Sequence, residues 1–118
     1  MQKKVDKVTA VEGGIDGYGI APSGDRIWYA KSGIQVDPTT RDRNPDMDKT
    51  SALIYDDIME RHWDHWTDGS YSHIFVAELY GNGIRGEKDI MDGEPFDAPL
   101  SPYFDMGEMA WSHGGKSL

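Results

Sequence analysis

Short runs of β-branched and aromatic residues, broken by Gly and Pro, organise most of the chain. Val5, Val8, Thr9 and Val11 form a sparse run that halts at Gly13-Gly14, as the tail of a strand would. Tyr18-Gly19-Ile20-Ala21 then meets Pro22-Ser23-Gly24-Asp25. There Pro presets the first φ of a turn and Gly accepts a positive one, after which Arg26-Ile27-Trp28-Tyr29-Ala30 is extended again. This predicts a hairpin with strands over 16–21 and 26–31. A second pair is predicted from Ser72 to Leu79 and from Lys88 to Met91, with Tyr80-Gly81-Asn82-Gly83 supplying the turn chemistry.

Between the two pairs the period changes. Asp37 to Pro45 is polar and Pro-interrupted, and reads as a surface loop. From Ser51 to Trp66 the apolar positions Ile54 and Ile58, and Tyr55, Met59, Trp63 and Trp66, fall at helical i, i+3 and i+4 spacing. Thr50 or Ser51 would cap this helix, and Asp57, Glu60, Arg61 and Asp64 would form its wet face. The spacing predicts an amphipathic helix laid over a sheet edge. Residues 93–102, with three Pro, resist regular structure. Gly107 to Lys116 then repeats the earlier strand-and-turn design.

Composition narrows the class. At 118 residues and 37% hydrophobic content, one small domain or part of one is expected. Fourteen Gly and six Pro, spread along the chain, suit a many-turned β protein. The net charge of -9 repels phosphate backbones and anionic headgroups, which argues against nucleic acid and membrane surfaces as partners. There is no Cys, so disulfides and thiolate metal sites are excluded. No apolar stretch follows Met1 to Lys7, so a soluble chain without an export signal is expected, with the compartment left open.

Ala21-Pro22-Ser23-Gly24-Asp25 aligns with Ser112-His113-Gly114-Gly115-Lys116, at a separation of 91 positions. Both resemble the Ser-Pro-Asp-Gly-Lys turn between the first two strands of a blade in WD40-like propellers of prolyl oligopeptidases. The copies depart from it at Ser23 and Asp25, and at His113-Gly114. A blade takes roughly 40 to 50 residues, so an insertion must lengthen this one. Removing 35–70 leaves a span near one four-stranded blade. Tyr55 to Val76, reading YDDIMERHWDHWTDGSYSHIFV, together with Lys88 to Asp97 and Trp111-Ser112, is similar to the propeller of bacterial S9 peptidases of the dipeptidyl and acylaminoacyl type. That resemblance covers about Val8 to Lys116. It implies an all-β fold: about one antiparallel blade plus parts of its neighbours, with an inserted helix. Residues 1–118 would then be a partial propeller domain whose insertion spans about 35–70.

In that family the resemblance implies a Ser, Asp and His triad in a separate α/β-hydrolase domain, with the nucleophile in a Gly-x-Ser-x-Gly elbow. Ser70, Ser72, Ser101 and Ser112 lack the elbow's flanking glycines, so no catalytic residue and no cofactor is assigned here. The chain alone is expected to be inactive. His62 and His65, with Asp64 and His73 near them in sequence, are the metal candidates, because i, i+3 histidines share a helical face. Flanking Trp63 and Trp66 favour a packed aromatic helix instead. Asp46-Met47-Asp48 and Asp56-Asp57 lack the spacing and closing Glu of a calcium loop. The expected role is a non-catalytic propeller segment that gates peptide access in a parent serine peptidase, against the peptidase's hydrolase domain. The alternative is a stand-alone protein-binding module. A lone blade has bare strand edges, so self-association of the isolated chain is also expected.

Overall fold

The computed structural model describes residues 5–56, 61–62, 64–100, 103 and 105–118. It is mostly β, with little helix. One antiparallel sheet holds four strands in the order β1-β2-β5-β6: β1 (Gly17–Ile20), β2 (Arg26–Gln35), β5 (Ser70–Tyr80) and β6 (Gly83–Asp89). A separate two-stranded ribbon pairs β3 (Arg61–His62) with β4 (His65–Trp66).

Both hairpins of the sheet follow their turn chemistry. Gly24 takes φ +75° and its N–H donates to Ala21 O at 2.8 Å, while Ala21 N–H reaches Arg26 O at 2.9 Å. The Ser23 hydroxyl donates to the Asp25 carboxylate, and this bond holds the Asp25 carboxyl below the usual range. Gly81, at φ +57°, turns β5 into β6 across two residues, so β6 begins at Gly83 and is over by Asp89, earlier than the expected 88–91. Residues 5–11 join no strand ladder.

Strand alternation gives the sheet two faces. One carries Trp28, Ala30, Ile74 and Val76, and is covered by the segment after β6 through Met91, Ala98, Met106, Met109 and Trp111. Here the sheet comes close to its cover: a Cβ on Gly19 would lie 2.4 Å from the Trp28 indole nitrogen, and one on Gly17 would lie 2.3 Å from the Met106 sulfur, so the flexible Met106 side chain would have to move. The other face carries Ile27, Tyr29 and Ala77, all buried, with Tyr29 stacked on Phe75 at 5.2 Å. At its β1 end, Tyr18 and Ile20 are exposed.

The 21–26 turn recurs. Gly115 takes φ +64°, its N–H donates to Ser112 O at 2.8 Å, and Ser112 N–H reaches Ser117 O at 2.8 Å. These are the two hydrogen bonds of the first turn, displaced by the sequence offset. The two turns also touch, since a Cβ on Gly115 would sit 3.1 Å from Ser23 Oγ and 3.5 Å from the Ala21 methyl.

The helix expected over 51–66 does not form. Residues 51–55 have no regular structure, and 61–62 and 65–66 are extended and paired; 57–60 and 63 lie outside the described residues. An isolated helix of that length is marginal in water unless its apolar stripe finds a surface, and the chain offers cross-strand aromatic contacts instead. Among the described residues the α-helix falls earlier, in the stretch expected to be loop: α1 (Thr40–Arg43) is a single turn closed by a capping box between Thr39 and Asp42. The Thr39 hydroxyl bonded to Asp42 keeps that carboxyl below the usual range.

Candidate functional site

Ser72, His73 and Asp89 bring triad-type side chains onto adjacent strands, but their bonds run elsewhere. His73 is fully buried, with Nδ1 at 2.7 Å from Asp89 Oδ2 and Nε2 at 3.0 Å from the Glu94 carbonyl. A carbonyl only accepts, so Nε2 donates to it, and Nδ1 is taken up by the Asp89 carboxylate. Ser72 is its chain neighbour on a strand and therefore faces the opposite side. The Ser72 hydroxyl donates to Ala98 O at 3.1 Å, and Ser72 N–H donates to Asp97 Oδ1 at 2.7 Å. No nitrogen of His73 is left to take a proton from a serine. The trio fastens the segment after β6 to the sheet.

His62 and His65 stand directly opposite each other across the β3–β4 ribbon, not one turn apart on a helix. His65 Nε2 lies 3.3 Å from Asp64 Oδ1, and both side chains are exposed. His73 is in the sheet and bound on both nitrogens, so it does not join them. Among the described residues no group of three or more His, Asp or Glu is placed to hold a metal ion. Of the acidic pairs, Asp56 lies 3.5 Å from Arg43 in an exposed ion pair, and Asp57 falls outside the described residues.

The ribbon instead assembles an aromatic plate. Trp66 stacks on Tyr55 with ring centres 5.8 Å apart, the Arg61 guanidinium sits 5.1 Å from the Trp66 ring centre, and the Tyr55 hydroxyl donates to Thr67 O at 2.6 Å. Such a cation–π contact is worth about 0.5–1 kcal/mol at an exposed site. Beneath it, Gln35 Nε2 ties Asp37 O and Asp68 O at 2.6 and 3.0 Å, joining the two ends of the insertion. The Tyr71 hydroxyl donates to Asp37 Oδ2 at 2.9 Å, and burial together with that carboxylate pushes its pKa up to about 12.

A groove of about 640 Å³ runs between residues 7–12 and the sheet, with Lys31, Ile84 and Glu87 on its floor. Glu87 accepts a hydrogen bond from Tyr29, and burial followed by that bond raises the Tyr29 phenol well above its ordinary pKa. The sequence patterns did not single out Tyr29–Glu87 or His73–Asp89. Their one signal is polar residues inside otherwise apolar strands, which marks satisfied core groups as readily as a site.

Curated proteins similar to this chain share one name. It is 38% identical over 112 residues to dipeptidyl-peptidase 5 of Porphyromonas endodontalis, covering 95% of this chain and 16% of that protein. It is 35% identical over 106 residues to the Porphyromonas gingivalis dipeptidyl-peptidase 5, covering 90% and 15%. The Arthroderma otae protein of the same name is 25% identical over 120 residues, covering 95% and 16%. The chain is related to the dipeptidyl peptidases and spans about one-sixth of these relatives' length. No protein-family model matches it, and no solved structure does. No helix of the described residues is long and apolar enough to cross a membrane.

Proposed function

We propose that this chain is a non-catalytic propeller segment of an S9-type serine peptidase, and that its insertion helps gate peptide access to a hydrolase domain contributed by the parent protein. The observation that carries the reading is the match to dipeptidyl-peptidase 5 along 95% of the chain but only 16% of the relative. The four-stranded antiparallel meander supports a blade, because up-down-up-down order with the chain returning to a second copy of the first turn is how radial repeats are built. Peptides are the substrate class the relatives' name points to. The exposed β3–β4 ribbon is the element best placed to meet them.

The test is a chimaera. This chain replaces the matched 112 residues of the Porphyromonas endodontalis protein. Retained folding and dipeptidyl release are expected. Trp66→Ala in that background should change the ratio of rates on long and short peptides while leaving dipeptide turnover within about twofold. A folded chimaera whose size preference ignores the ribbon sinks the gating role. The isolated chain should not hydrolyse dipeptidyl or acyl-aminoacyl chromogenic substrates. Hydrolysis that stops with a serine-reactive inhibitor would overturn the assignment of chemistry to the parent.

A further inference from the structure

We propose that the open face of β1, at Tyr18 and Ile20, seats a second copy of this chain, docked head to tail. The inference rests on the internal repeat and not on any activity. The offset that superposes Gly24 on Gly115 also places Tyr18 on Met109 and Ile20 on Trp111. Hydrogen bonding supports that register, since both turns close with the same pair of bonds. In the second copy the paired residues are occupied: Met109 and Trp111 pack on the Trp28, Ala30 and Ile74 cluster, and Trp111 Nε1 donates to Gly19 O at 2.9 Å. In the first copy the equivalent residues are bare, Tyr18 at 62% and Ile20 at 52% exposure.

One surface of the molecule is thus built to receive the other. The face bearing Gly17, Gly19, Trp28 and Ala30 already accepts the 109–111 segment and the turn after it from its own chain, although that segment pairs in no strand ladder. The β1–β2 hairpin of another molecule offers the same turn, the same alternation and a complete sheet behind it. Such a copy would displace residues 105–117 from that face and cover its own Tyr18 and Ile20 in doing so. Donor and acceptor surfaces differ, so the contact is heterologous and propagates. Each copy carries a net charge of -9, which opposes the approach and is screened by salt.

Sedimentation velocity of the full chain, from about 5 to about 500 μM, reads this directly through the concentration dependence of an association of this kind. The wild-type chain should associate with rising concentration, and more so at high salt. Ile20→Glu and Tyr18→Glu, both at exposed positions, should each weaken association about tenfold or more with unchanged circular dichroism. Trp111→Ala loosens the resident segment and should strengthen association, the opposite sign. A chain that stays monomeric throughout overturns the proposal. Association that ignores Ile20→Glu also overturns it, and assigns the contact to open strand edges.

Discussion

At the scale of single residues, His73 decides how the two halves of the chain stay together. It is 0% exposed, and its partners come from the end of β6 and from the bend after it. Replacing it with Phe preserves volume but takes one partner from a carboxylate at 15% side-chain exposure and leaves the Glu94 carbonyl without its imidazole donor. The cost of leaving such groups unmade is about 2–4 kcal/mol. Denaturant unfolding of His73→Phe should show a loss in that range, and a loss under half a kcal/mol would mean water reaches both acceptors. Tyr71 gives a second handle, through pH. Its phenol titrates near 10 in the unfolded chain and near 12 when folded, so between those values the unfolded chain has released a proton that the native chain keeps. Stability contributed by Tyr71 is therefore complete below pH 10 and lost as pH climbs toward 12. Tyr71→Phe should flatten the alkaline fall in melting temperature, and an unchanged slope would exclude Tyr71 as its source.

At the scale of elements, what the sequence made legible was what local chemistry controls. Pro22-Ser23-Gly24-Asp25 and Gly81-Asn82 carry turn chemistry that local residues decide; β2 and β5 form beside them, while β6 starts at Gly83 and not at the expected 88. The 51–66 segment was not legible, because helical spacing and a Trp-rich ribbon use the same residues. Tyr55, Arg61 and Trp66 fit either pattern, and the packing of Tyr55 and Arg61 on the Trp66 ring is a choice made beyond local spacing. The candidate site shows the same ambiguity: the spacing of His62 and His65 suits one helical turn, and the ribbon pairs them across strands. The insertion is held to the sheet by few groups, chiefly Gln35 and Tyr71, and Thr40 is its one buried residue among those described. Segments with little burial open at low free energy. Limited proteolysis should therefore cut first within residues 41–69, while fragments ending near 35 and beginning near 70 remain associated through the paired β2 and β5. First cuts inside β5 would show that the sheet, not the insertion, is the weaker element.

At the scale of the whole molecule, size and core do not match. The Cα radius of gyration is 17.6 Å and the extents are 59 × 26 × 26 Å, whereas a compact chain of this length has a radius near 13.5 Å. Seven hydrophobic residues are buried among those described, and six of them lie in β2 and β5. Large apolar side chains such as Phe96, Leu100 and Tyr103 remain exposed in the segment after β6. Unfolding enthalpy scales with the surface a fold removes from water, and a well-packed chain of this length absorbs about 80 kcal/mol near 60 °C. The sheet can melt cooperatively, but the insertion and much of the segment after β6 have little packed surface to lose with it. Scanning calorimetry should accordingly give an enthalpy well below that figure, in a broad transition. In the chimaera, if the proposed propeller neighbours cover Tyr18, Ile20 and the exposed apolar side chains, the same residues should melt in one sharper step with the rest of the host. A sharp transition carrying the full enthalpy in the isolated chain would instead favour an independent module, with the exposed aromatic ribbon as its binding surface.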